Sequence, residues 1–143
     1  MTEIERNIER ILENEEEVFH DSFSYIVPDE DMLSKAAARL GFRIPEQYLW
    51  FLKKYGSGGF LFDFLGFDQR GNCHFADVTE EMRLAGLPDW MLVIEDCGEF
   101  VNAIDVRSGK VISFSPDDGE GVVEENDTFC DYFLECIVNA LEQ

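Results

Sequence analysis

Between Leu40 and Gly59 the chain reads LGFRIPEQYLWFLKKYGSGG, and no other stretch constrains the fold as tightly. Pro45 lacks an N–H and already has a helical φ, so it suits the first position of a helix. At about 100° per residue, Tyr48, Phe51, Leu52 and Tyr55 share one face with Leu49 on its shoulder. Glu46, Gln47, Lys53 and Lys54 fall opposite, so the first set is the core face. Gly56 can adopt the left-handed conformation that ends a helix, and the two lysines favour the negative end of its dipole. Upstream, Leu33, Ala36, Ala37 and Leu40 repeat at helical spacing behind the acidic turn Asp29, Glu30 and Asp31, and Gly41 stops that helix.

The other segments read as elements packed around this pair. Ile4, Ile8, Ile11 and Leu12 form the stripe of an amphipathic N-terminal helix. Val18 to Val27 fits either a packed loop or a short extended segment, so residues 1–27 are a helix followed by a connecting stretch. Phe60 to Phe67 (FLFDFLGF) is nearly continuous in apolar residues, the composition of a strand buried on both faces, with Asp63 an unusual carboxylate inside it. A turn around Gly71 leads to a second strand over Cys73 to Val78, and a short helix capped by Asp77 or Thr79 runs to Leu84. Met91 to Glu95, Phe100 to Val106 and Val111 to Phe114 make an antiparallel meander with a tight turn at Ser108-Gly109. The acidic stretch Pro116 to Glu125 leaves room for one more short strand. Asp127 or Thr128 then caps a final helix carrying Phe129, Phe133, Cys136, Ile137 and Ala140. The expected fold is α+β: one domain over residues 1–143, with a mixed, largely antiparallel sheet of about five or six strands and helices packed on it.

Charge narrows the partners. Eleven Lys and Arg against 31 Asp and Glu give a net charge of −20, which disfavours nucleic acid and anionic membranes and favours a basic partner. The 13 Phe, 4 Tyr and 2 Trp nevertheless supply ample core material, so the chain is expected to fold. Cys73, Cys97, Cys130 and Cys136 contain no C-x-x-C pair, and with only His20 and His74 beside them they point away from zinc. The opening MTEIERNIER is acidic where a signal peptide is basic, and no run reaches the roughly 18 apolar residues of a membrane span. The expected compartment is therefore the cytoplasm, with the four thiols reduced.

Catalytic and cofactor motifs fit poorly. Gly56-Ser57-Gly58-Gly59 follows a helix, whereas a phosphate loop precedes one, and neither histidine belongs to a nucleophile motif. Asp117, Asp118, Glu120, Glu124, Glu125 and Asp127 lack the ligand alternation of an EF-hand and read as a solvated loop. No enzyme, cofactor or metal is expected.

A helix ending in Leu40-Gly41, the Ile44-Pro45 link and Tyr48-x-x-Phe51-Leu52-x-x-Tyr55-Gly56 closing on glycines resemble the SUKH superfamily. Met91 to Asp96, the aromatic strand and the Ser-Gly turn are similar to the second half of the same pattern, although Tyr55-Gly56 stands where many members have Asn-Gly. That superfamily contains fungal cell-wall synthesis regulators and many bacterial immunity proteins. The resemblance implies an α+β fold and a protein that binds and neutralises a cognate toxin domain, often a nuclease. The alternatives are a regulatory scaffold for a cellular partner and, from another class, a small hydrolase using carboxylates around Asp63 and Asp96. Two features of the residues bear on partner binding. Trp50 lies off the core face of its helix and is either an anchor or covered by the N-terminal helix. Asp68, Glu95, Asp96, Glu99, Asp117 and Asp118 sit at expected strand ends, forming either one negative face or dispersed solubility charge. Monomer and homodimer are both compatible with this reading.

Overall fold

The computed structural model describes residues 1–116 and 122–143. Six helices and four strands follow in the order α1 (Glu3–Asn14), α2 (Glu16–Phe19), α3 (Glu30–Leu40), α4 (Glu46–Lys54), α5 (His74–Leu84), β1 (Met91–Asp96), β2 (Val101–Asp105), β3 (Val111–Phe114), β4 (Val122–Asn126) and α6 (Phe129–Leu141). The strands form one antiparallel meander, β1-β2-β3-β4. Its two faces follow from side-chain alternation. Leu92, Ile94, Ile104 and Val111 join the large core beneath α1, α4 and α6, while Met91, Val93, Val101, Ala103, Ile112 and Phe114 pack with Val78 and Met82 of α5. The sheet is thus covered on both sides.

Local chemistry explains the helix ends. Thr2 and Glu5 form a reciprocal capping box on α1, Asp29 accepts the Met32 N–H at the start of α3, and Thr128 accepts the Asp131 N–H at the start of α6. Pro45 is the N-cap of α4, one residue before the helix proper. Gly56 has φ +83°, and a Cβ there would lie 2.6 Å from Ser24 Oγ and 2.7 Å from the Ile26 N, so this glycine both ends α4 and admits the 22–26 segment against it. Arg39 on α3 pairs with Asp77 and Glu80 of α5, tying the two helices across the surface.

The sheet has four strands, not five or six, and the two missing ones have physical causes. Phe60–Phe67 is not a strand. Leu61 sits at φ +66°, and Gly66 packs so closely that an added Cβ would meet the Gly56 carbonyl oxygen at 2.2 Å. Those constraints bend the segment, and its aromatics are buried because Phe62, Phe64 and Phe67 point into the helical core. The segment makes isolated bridges from Phe64 to Gly58 and from Phe67 to Cys73, and the Leu65 N–H donates to the Ile94 carbonyl at 2.8 Å at the outer edge of β1. Cys73–Val78 is not a strand either: Cys73 caps α5, which runs from His74, so Asp77 and Thr79 lie inside the helix. Asp63, expected inside a buried strand, is exposed.

Candidate functional site

Strand β1 does not finish regularly. Val93 pairs with Ala103, but Glu95 rather than Ile94 pairs with Asn102, so one extra residue bulges the strand. The buried Thr79 accepts the Val93 N–H at 2.9 Å beside the irregularity. Without the bulge, alternation would send Glu95 to the α5 face; with it, Glu95 turns to the α6 face, where Asn102 and Tyr132 stand. Its carboxylate accepts bonds from Asn102 Nδ2 at 3.0 Å, the Tyr132 hydroxyl at 2.7 Å and the Asp63 N–H at 3.0 Å. A buried carboxylate needs such donors, and these three tie together the 60–67 loop, the sheet and α6. Partial desolvation, and then the charge of Glu95, push the Asp63 carboxyl above its ordinary range.

This cluster floors a cleft of about 540 Å³ whose walls include Leu61, Phe62, Phe100 and Cys97, with Glu125 and Glu135 at its rim. A ridge rises beside it. Phe60 and Leu61 are 39% and 66% exposed, and beyond them Tyr25 is 55% exposed. Among the described residues, Tyr25 (φ +55°) and Leu61 (φ +66°) are the non-glycine residues with positive φ. A left-handed leucine or tyrosine costs on the order of 1–2 kcal/mol, and strain of that kind clusters at functional sites. Here the strained backbone holds two large apolar side chains in solvent. Across the ridge, Phe60 stacks edge-on against Phe19 at 6.3 Å, and Phe19 lines a second cleft, of about 320 Å³, between α1, α2 and the end of α4. The result is an apolar ridge flanked by two acid-lined clefts.

The expected site residues are only partly gathered here. Glu95, Asp96 and Glu99 come together at the β1–β2 turn beside the first cleft, with Asp96 exposed and accepting the Gly98 N–H at 3.0 Å and Glu99 exposed. Trp50 is half-buried at the edge of the core, its ring 5.8 Å from Tyr55 and 6.2 Å from Phe133, with the start of α1 across a shallow cleft. Its Nε1 has no hydrogen-bond partner among the described residues. Trp50 is therefore not a free-standing surface indole. Asp68 belongs to the turn before α5 and is already engaged, accepting from the N–H groups of Arg70 and Asn72, from Asn72 Nδ2 and facing His74 Nε2 at 3.0 Å. Asp117 and Asp118 lie outside the described residues. The signals for Phe60, Leu61 and Tyr25 were absent from the periodicity, because exposure there depends on backbone conformations imposed by distant contacts.

Asp68 carries a pH prediction. Its bonds, led by Asn72, hold the carboxyl well below the ordinary value, so the folded state binds a proton less tightly than the unfolded chain. Its stabilisation is present above about pH 4 and is lost as pH falls toward the folded value. Thermal melts against pH are expected to show Asp68→Ala below wild type at pH 7, with the gap closing below about pH 4. A gap that widens on acidification would refute this role.

The family model described as SUKH_5, SMI1-KNR4 cell-wall, matches residues 4–138. The chain belongs to this SUKH family. The matched stretch runs from inside α1 to inside α6, so most of the N-terminal helix lies within the SUKH match together with the ridge, while the first cleft reaches past it to Asn139, Ala140 and Gln143. Among the described residues of this SUKH chain, no group of three His, Cys, Asp or Glu side chains is placed to hold a metal ion, and no helix is long and apolar enough to cross a membrane.

Proposed function

We propose that this SUKH domain is an immunity protein that binds a cognate toxin domain and blocks it, using the face formed by the Phe60–Leu61 ridge and its acidic surroundings. The observation that carries this reading is the pairing of exposed, strained apolar residues with a one-signed field. Leu61 supplies apolar area to be buried on contact, Glu125 and Glu135 share its cleft, and the exposed Asp96 and Glu99 belong to the β1–β2 turn whose Cys97 and Phe100 line the same cleft. The net charge of −20 supports a basic partner, such as a nuclease whose substrate is itself an anion. Family membership supports it as well, because the family includes toxin-immunity proteins. The role is one of occlusion rather than chemistry: the buried carboxylate of the first cleft, Glu95, is already held by three donors.

Exposed charges act over about a Debye length, roughly 8 Å at physiological salt, so they speed encounter more than they hold the complex. With the toxin domain encoded beside this gene, Asp96→Lys/Glu99→Lys is expected to slow association about tenfold at low salt, an effect that fades as salt rises. A salt-independent wild-type association rate would contradict the electrostatic part. Failure of the wild type to bind or neutralise that toxin, with capture of a cellular protein by the same face, would assign the domain to a regulatory scaffold instead.

A further inference from the structure

The second cleft has a composition that selects a particular visitor. Glu9, Glu13 and Glu16 project from α1 and α2 on one side, and Phe19, Tyr25 and Tyr55 provide aromatic walls. A lysine and a histidine also line it, but both are engaged: Lys54 Nζ lies 2.6 Å from Glu9 Oε1, and His20 Nε2 lies 2.9 Å from Asp21 Oδ2. Glu13 and Glu16 are left exposed and without an ion-pair partner among the described residues. The most informative group is Tyr55. Its ring is mostly buried against Phe23 at 4.8 Å, while its edge lines the cleft. Tyr55 lines the cleft, and burial first, and then Glu9, Tyr25 and Glu13, push its hydroxyl's pKa up. That hydroxyl is open to the cleft rather than sealed in the core, so a donor entering the cleft can reach it.

We infer that this cleft receives an arginine side chain of the partner. The inference rests on the reading of this face as a partner-binding surface and names the group that would enter beside the ridge. A guanidinium is planar, so it stacks on the Tyr25 ring by the cation–π attraction that such faces offer. Its five N–H donors, set in a fork, are enough to serve both the carboxylates of Glu13 and Glu16 and the Tyr55 hydroxyl oxygen. A lysine ammonium offers neither the plane nor the fork. A neutral apolar side chain would leave the carboxylates desolvated and unpaired, which disfavours it. The volume of about 320 Å³ is at the small end of ligand cavities, consistent with one side chain rather than a folded segment.

The test needs no toxin. The probe is Nα-acetyl-arginine amide, titrated into the full chain while backbone amide resonances are followed, with Nα-acetyl-citrulline amide as the uncharged near-isostere and Nα-acetyl-lysine amide as the rival cation. Saturable shifts at Glu13, Phe19, Tyr25 and Tyr55 are expected with the arginine probe alone. Glu13→Gln/Glu16→Gln is expected to weaken it at least tenfold. Tyr55→Phe, which keeps the buried ring and so the fold, is expected to weaken it severalfold. Equal binding of the citrulline probe, binding of the lysine probe as tight as that of arginine, or unchanged affinity in the Glu13/Glu16 variant would overturn the assignment. In complexes with the toxin domain, Leu61→Asp reports on the face and Glu13→Gln/Glu16→Gln on the cleft. Loss with the first but not the second overturns the cleft and leaves the proposed function standing. A wild type that binds arginine but no toxin overturns the proposed function instead.

Discussion

Phe51→Ala is expected to lower stability by about 3–5 kcal/mol, measured as a shift in denaturant midpoint at unchanged slope. Phe51 is fully buried on the inner face of α4, ringed by Phe23 at 6.1 Å, Tyr48 at 5.5 Å, Phe64 at 5.3 Å, Phe129 at 5.9 Å and Phe133 at 5.5 Å. These neighbours come from the 22–26 segment, α4, the 60–67 loop and α6, so the cavity left by alanine cannot be filled by one element moving alone. Two residues on, Lys53 points outward and meets Glu30 at 3.2 Å across exposed surface. Lys53→Ala is therefore expected to stay within about 0.5 kcal/mol, because exposed pairs are screened and entropically costly. Equal losses at the two positions would contradict the assignment of the helix face.

The second large effect separates stability from binding. Leu61 is 66% exposed at φ +66°, so little burial is lost when its side chain is removed, while the left-handed backbone becomes unstrained for glycine. Leu61→Gly is expected to leave stability unchanged or raise it by up to about 1 kcal/mol, the relief of strain being partly offset by the greater freedom of glycine in the unfolded chain. The same change removes the apex of the ridge and is expected to weaken binding of the toxin domain by about 2 kcal/mol or more, mainly through faster dissociation. Leu61→Asp is expected to weaken it further, by placing a like charge against an already acidic face. A variant that loses stability and keeps its affinity would show that Leu61 serves the fold.

Most of the scaffold was legible because its elements are locally consistent. The periodicity of α3 and α4, the Ser108-Gly109 turn between β2 and β3 and the apolar face of α6 each announce one answer, the α6 cap is narrowed to Asp127 or Thr128, of which Thr128 serves, and the antiparallel meander follows from them. The Phe60–Phe67 run misled because a continuous apolar segment says that it is buried, not that it is extended. The left-handed Leu61 and the Gly56–Gly66 contact decide the path, and that contact joins residues ten apart in the chain. The candidate site was legible only where it coincides with a strand end, at Glu95, Asp96 and Glu99. Even there the role of Glu95 depends on a bulge, which alternation alone would place on the wrong face. Asp68 and Trp50 show the converse, since residue type proposes a partner contact and the neighbours already supply one.

Hydrogen exchange of the protein alone and bound to the proposed partner, a toxin domain, addresses the proposed binding face most directly. Slowed exchange is expected in the complex at Tyr25, at Phe60–Asp63 and across the Asp96–Phe100 turn, with the outer surface of α3 and α5 unchanged. Protection confined to α3 and α5, with the ridge and the β1–β2 turn exchanging as freely as in the unbound protein, would contradict it.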